Sequence, residues 1–407
     1  LPDMHMPRHL RAGLNSNVRM KGGIKMNTMK WLTGILLAGA LAVQADDATF
    51  WRIRSTNATV ITTIDVNGTL AWSNSVPGNN EQVQRATILY PVADWQDYVL
   101  VPATGIVTSV QAFDLQPPAD MVLIPAGSFV MGHATNVFPV DEGNPDELPQ
   151  HTVYVSAFYM DKYEVTSNLW RKVYTWAMND GYIYGYSFGG SWGGKASTHP
   201  VRSVDWYDAI AWCNARSQMD GFTPCYTNAN GTVYANAAGN SFAGGCNWTA
   251  NGYRLPTEAE WEKAARGGVA NHRFPWCDAD DIQHARANYK AATNLFSYDT
   301  SPTTGYHPTF ATNDTPYTSP VGSFAPNGYG LYDMAGNVWE WCWDWYEGTY
   351  YSSSPATDPR GPSSGTDRVR RGGPWSGNCE AVRVADRNYV EPEDESSLNG
   401  FRCVRGL

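Results

Sequence analysis

Between residues 46 and 115 the chain alternates polar and apolar positions, or runs apolar, in short bursts. These are Thr49 to Arg54, Thr59 to Val66, Thr69 to Ser73, Gln84 to Tyr90 and Tyr98 to Val101, separated by Asn-Gly and Pro-Gly turn signals. The pattern predicts a small all-β module over 46–115, read as a spacer without activity of its own. Upstream, Lys30 precedes an apolar run from Trp31 to Val43, and Val43-Gln44-Ala45 puts small residues where a signal peptidase reads. Residues 29–45 are therefore expected to be a signal peptide cut after Ala45, with 1–28 an upstream extension or start-site artefact. The run is too short to span a bilayer comfortably, and Asp46 and Asp47 lack the basic flank of a retained anchor. The expectation is a secreted or periplasmic protein with no stable membrane span after cleavage.

Gln116-Pro117-Pro118-Ala119 reads as a linker, and a second unit is expected over 119–407. Three helix starts are legible in it. Thr166 can cap a helix through Leu169, Trp170 and Val173, and Asp205 can cap another carrying Trp206, Ala209, Ile210 and Cys213. Thr257 with Glu260 three residues on forms a capping box, and Gly267-Gly268 stops that helix after Arg266. Elsewhere Gly, Pro, Asn and Trp dominate.

Composition sharpens this into an irregular fold. With 43% hydrophobic and 17% charged residues in 407, two ordinary cores are possible. The 17 Trp, 23 Tyr, 38 Gly and 25 Pro suggest loops pinned by large rings, not long regular elements. A net charge of -10 disfavours nucleic acid. Seven cysteines in an exported chain allow disulfides, and Cys225 with Cys246, bracketing a Gly/Asn-rich segment, is the one pair assigned. No Cys/His spacing suits a structural zinc.

Several stretches carry more specific chemistry. In order they are Met121 to Gly132, Tyr163-Glu164-Val165-Thr166, His199-Pro200-Val201 with Val204-Asp205-Trp206, and Tyr253 to Glu262. Gly330 to Trp341 follows, then Arg368 to Gly373 ending in Gly400-Phe401-Arg402-Cys403. Taken together they resemble the formylglycine-generating-enzyme (sulfatase-modifying-factor) family. The resemblance implies an irregular α+β, C-type-lectin-like fold preceded here by the small all-β module.

The Gly-punctuated stretch 330–341 places Asp333 and Glu340 around backbone carbonyls, the way oxygen-ligand calcium sites are assembled. The resemblance implies Ca²⁺ at Asp333, Gly336, Val338 and Glu340. It implies a second site at Asn288 and Tyr289, with Asp299 a candidate. The family's oxidases hold Cu(I) between two cysteine thiolates and use O₂ to convert a client cysteine into formylglycine. Counted from Gly373, those positions are Gly377 and Val382, with Cys379 between them and Pro374 in place of the family's serine. One sulfur cannot make a bis-thiolate site, so the oxidase, with Cys379 as its catalytic residue and a sulfatase as client, stands as the alternative.

Two further enzymatic branches of the superfamily find no support. The iron sulfoxide synthases need a His-xxx-His-x-Glu triad that the eight histidines do not form. Nothing argues specifically for the siderophore-maturation branch. The preferred expectation is a binding or accessory protein, as in the retroelement-diversified variable proteins that share the fold. Its protein, peptide or glycan ligand would sit on Trp375, Asn378, Arg383, Arg387, Asn388 and Tyr389. The alternative for the two arginines is pairing with Glu380, Asp386 or Glu391 on a solvated surface.

Overall fold

The computed structural model describes residues 120–406, apart from 136, 140–141, 182–184, 190–194, 236 and 238, and upstream of them the backbone of strands between 27 and 111. It forms two compact units, one from residues up to Gln116 and one from Pro117–Ile124 and Ser128–Gly406. The expected linker at 116–119 lies outside the described residues, as does most of the expected leader.

The first unit is all strand: β1 Asn27–Met29, β2 Ala40–Val43, β3 Thr49–Arg54, β4 Val60–Ile64, β5 Thr69–Ser73, β6 Asn80–Ala86, β7 Gln96–Pro102 and β8 Val107–Gln111. They make a five-stranded sheet in the order β1-β2-β3-β6-β7 and a three-stranded sheet β4-β5-β8. The expected strand at Gln84 to Tyr90 is displaced. Residues 80–86 pair instead, because β6 is gripped from both sides, by β3 from Phe50↔Ala86 to Arg54↔Gln82 and by β7.

The second unit carries β9 Met121–Ile124, β10 Gly127–Met131, β11 His151–Val155, β12 Phe158–Asp161, β13 Tyr226–Thr227, β14 Gly245–Cys246, β15 Tyr253–Arg254, β16 Trp339–Trp345, β17 Arg368–Arg371, β18 Asn388–Val390, β19 Asn399–Gly400 and β20 Val404–Arg405. Two four-stranded sheets organise it, β15-β20-β12-β9 and β18-β17-β16-β19; β10 pairs with β11, and β13 with β14. Three helices accompany them among the described residues: α1 Ser167–Asn179, α2 Trp206–Met219 and α3 Glu258–Ala265. None is long and apolar enough to cross a membrane. Few helices, short strands and much irregular backbone make this an α+β fold.

All three helices begin at the expected caps. Thr166 accepts from the Leu169 amide, Asp205 from the Asp208 amide, and Thr257 and Glu260 complete the reciprocal box. Stacking of Trp170 on Trp212, 5.5 Å apart and nearly parallel, fastens α1 to α2. The short helix α3 is buried on every face, which its glutamates tolerate because each has an arginine. Glu258 pairs with Arg387, Glu260 with Arg254, and Glu262 with both Arg266 and Arg371. Around α3 lies the main core, with Ile124, Phe158, Met160, Trp261, Leu331 and Val369 among its buried side chains.

Burial raises the Asp205 carboxyl to about 7, with neighbouring Asp208 adding to the rise. The sign follows from linkage. A carboxyl that holds its proton more tightly folded than unfolded gives stability that falls as pH climbs from about 4 to about 7. Asp205→Asn keeps the cap and removes the charge, so it should flatten that slope and stabilise by up to about 4 kcal/mol above pH 7. Urea melts of both proteins at pH 5 and 8 check this; parallel slopes would defeat it.

Candidate functional site

Strand β17 ends in a turn that only glycine fits. Gly372 and Gly373 have φ of +91° and +75°, and a Cβ on Gly373 would lie 2.5 Å from the Ala381 carbonyl oxygen. The turn is locked onto two neighbouring segments. Gly336 donates to the Gly372 carbonyl at 2.8 Å, Trp375 to that of Asn337 at 2.8 Å, and Lys290 to that of Gly377 at 2.8 Å.

Cys379 follows this turn and is fully buried, packed with Phe274, Ile282, Ala287, Tyr289 and Val382. Burial first, and then the charge of Asp299, pushes its thiol up to about 12, so it is a poor thiolate. None of the other six cysteines belongs to that cluster. The expected Cys225–Cys246 bridge is not made, since all seven cysteines are free thiols. Cys225 and Cys246 nonetheless face each other as hydrogen-bonded thiols, and Cys225 also donates to the Gly252 carbonyl at 3.4 Å. Cys213 and Cys403 lie buried with sulfurs 3.6 Å apart.

Of the six residues expected to bind a ligand, Tyr389 alone is strongly exposed; its ring stacks on Tyr346 at 3.7 Å. Arg383 and Arg387 depart from both expectations. Each is buried in a bidentate ion pair, Arg383 with Glu147 at 2.7 and 2.8 Å and Arg387 with Glu258 at 2.7 and 3.0 Å. Of the acids first considered as partners, Asp386 comes within 3.7 Å of Arg383. Asn378 accepts from the Glu380 and Ala381 amides and so closes a turn, while Asn388 accepts from Arg370 at 2.7 Å. Trp375 is buried against Tyr306 and Tyr317. These six side chains are therefore distributed between framework and surface.

The stretch 333–340 behaves differently. Asp333 and Asn337 adopt left-handed backbone with φ of +57° and +69°, and the loop presses against Asn288: a Cβ on Gly336 would lie 2.3 Å from the Asn288 carbonyl oxygen. Asn288 and the 333–340 stretch, expected to serve two cation sites, thus meet in one place.

Asp333 takes the Gly322 amide on Oδ2 at 2.6 Å, while its buried Oδ1 and that of Asn288 have no donor. Glu340 is gripped by Arg402 at 2.6 and 2.7 Å and by Trp261 Nε1 at 2.8 Å, which leaves Oε1 with a lone pair. A third carboxylate, Glu164, accepts from Asn337 Nδ2 at 2.6 Å and the Val338 amide at 3.2 Å. In the sequence Glu164 stands only beside the helix cap Thr166, with no local signal that it meets Asp333 and Glu340.

Burial, then the charges of Asp333 and Glu340, raise Glu164 well above the usual carboxylate range. Burial above all raises Asp333 to about 6, with Glu340 adding to it against Arg402 and the Gly322 amide. Three carboxylates thus share one guanidinium. No three His, Cys, Asp or Glu side chains stand in metal-ligating geometry among the described residues. A cation here would therefore draw on amide and carbonyl oxygens as well, and the all-oxygen, acid-rich set fits a hard divalent ion.

Tyr289 and Asp299, expected at the second cation site, are joined to each other. The Tyr289 hydroxyl donates to Asp299 Oδ1 at 2.7 Å, and the Ala292 amide takes Oδ2 at 2.6 Å, so that carboxylate closes a network of its own. A cavity of about 470 Å³ lies beside Asp333, lined also by Trp276, Cys277, Arg286, Asn327 and Met334.

Comparison with known proteins agrees with this architecture. The sulfatase-modifying factor enzyme 1-like domain family matches residues 108–407. The formylglycine-generating enzyme of Thermomonospora curvata is 35% identical over 302 residues, covering 70% of this chain and 92% of its own. The chaperone protein LppX of Paenibacillus barcinonensis is 30% identical over 322 residues, covering 76% and 98%. Among solved structures, Treponema denticola variable protein 1 superposes with a TM-score of 0.52 at 31% identity, covering 70% of this chain and 95% of that one.

Proposed function

Because the chain belongs to the sulfatase-modifying factor enzyme 1-like family, we propose that it is an exported member that binds or assists a protein client and does not oxidise a cysteine. The single observation behind this is the thiol count at the turn after Gly373. Gly377 and Val382 stand where the family's oxidases place their copper cysteines, and Cys379 is buried in an apolar cluster that contains no second cysteine. A soft cuprous ion between two thiolates needs a second sulfur that this turn does not supply. The similarity to a protein called a chaperone, over 98% of its length, supports an assisting role.

Copper titration of the reduced protein tests the reading. The expected result is no stoichiometric Cu(I) binding and no oxygen uptake on a Cys-x-Pro-x-Arg peptide. Tight 1:1 binding with uptake would establish the oxidase instead.

Export rests on the leader at 29–45. N-terminal sequencing of the mature protein from the producing cell should begin at Asp46; an intact leader in the cytoplasm would remove this part of the proposal.

We also assign a structural Ca²⁺ to the loop at 333–340. Asp333 and Asn288 would supply their unpartnered oxygens, Gly336 and Val338 carbonyls, and Glu340 its remaining lone pair. The ion's part is to neutralise the surplus carboxylate charge that Arg402 alone leaves uncompensated.

A further inference from the structure

The segment from Lys290 to Tyr317 folds back onto the turn after Gly373 and builds a small basic spot on an acidic protein. Trp375, Tyr306 and Tyr317 form a ring cluster with centroids 5.1 to 5.6 Å apart. The Trp375 side chain is 6% exposed, and its indole N–H has no hydrogen-bond partner. Two ammonium groups flank the rings. Lys290 Nζ sits 5.2 Å from the Tyr306 centroid, is exposed, and has no carboxylate partner among the described residues. Lys195 Nζ, 5.9 Å from the Tyr317 centroid, is held there by the Phe310 and Thr312 carbonyls at 3.2 and 3.0 Å. Gly377 fixes the arrangement, since its carbonyl takes the Lys290 amide.

We propose that this cluster is a binding site for the carboxylate side chains of an acidic peptide segment. The inference rests on reading the protein as a binding member of its family and names the chemistry of what it binds. Two ammonium groups set on aromatic walls make a site that offers positive charge and N–H donors. Carboxylates meet that demand. Lys290 covers a face of Tyr306, at 38% exposed the most accessible ring of the three, so what reaches solvent is a cation over a ring and not the bare face a sugar stacks on.

Fluorescence anisotropy of the full chain with labelled octaglutamate and octaglutamine peptides tests the proposal. Octaglutamate should bind in a salt-sensitive way, and octaglutamine should not. Lys290→Gln, an exposed change that leaves the fold alone, should weaken binding about tenfold. Lys290→Arg should retain it. Equal binding of both peptides, no octaglutamate binding up to millimolar concentration, or an unchanged affinity in Lys290→Gln would overturn the site. Saturable binding of an oligogalacturonate where octaglutamate fails would overturn the choice of peptide. None of these outcomes touches the copper experiment, so the site and the non-oxidase reading fail separately.

Discussion

Replacing Arg371 with methionine should destabilise the second unit by about 3 to 5 kcal/mol, a loss comparable with the whole stability of many domains. The side chain is fully buried on β17. Its guanidinium donates to Glu262 at 2.6 Å and to the carbonyls of Val384 at 2.8 Å and Ala385 at 3.0 Å, and also to that of Asp386. Methionine fills similar space and donates nothing, so three carbonyls and one carboxylate lose a donor in a region water does not reach. Glu262 retains Arg266 at 2.7 Å and the Gly132 amide at 2.8 Å, which limits the damage at that end. Pairing the change with Glu262→Gln should deepen the loss, because buried Arg266 is ion-paired with Glu262 and would lose that counter-charge. Urea melts of the wild type, both single variants and the double variant give the coupling; a single variant within 1 kcal/mol of wild type would show that Arg371 is replaceable.

Why that arginine matters was not legible in the sequence, where Arg368 to Gly373 reads only as a motif. Helix starts were legible because their chemistry is local: Thr166, Asp205 and Thr257 each bond an amide three residues on. Strands β3 and β5 were equally visible in their alternation, while β6 was set by the strands that clasp it. Site residues failed for the same reason as β6. Arg383 and Arg387 look like polar tips of a binding loop until Glu147 and Glu258, brought from 236 and 129 residues upstream, take both guanidiniums.

The acidic loop shows the same division. Asp333, Gly336 and Glu340 stand close together in a motif that suggests oxygen ligands, but Glu164 joins them through Val338, 174 residues away. Cys379 differs again. Its position between Gly377 and Val382 was readable by counting, whereas its burial depends on Phe274, Ile282 and Tyr289, about 90 to 105 residues upstream.

With the proposed Ca²⁺ in the loop, Arg402→Met should leave a protein that leans far more heavily on calcium for its stability than the wild type does. Arg402 holds Glu340 with two hydrogen bonds and gives its remaining donors to the carbonyls of Tyr332, Asp161 and Lys162. Its charge also opposes the rise of Glu164 and Asp333. Without it three buried carboxylates face one another unpaired, at a cost of about 3 to 5 kcal/mol. A divalent ion bound by the folded state alone offsets about 2.7 kcal/mol at a hundred times its dissociation constant. The wild type should therefore melt several degrees lower in EDTA than in millimolar Ca²⁺, and Arg402→Met should show a wider gap between the two conditions. Arg402→Lys, which keeps the charge and loses the fork, should fall between them. Melting temperatures that ignore calcium in all three proteins would remove the ion from this loop and leave Arg402 as the sole counter-charge to three acids.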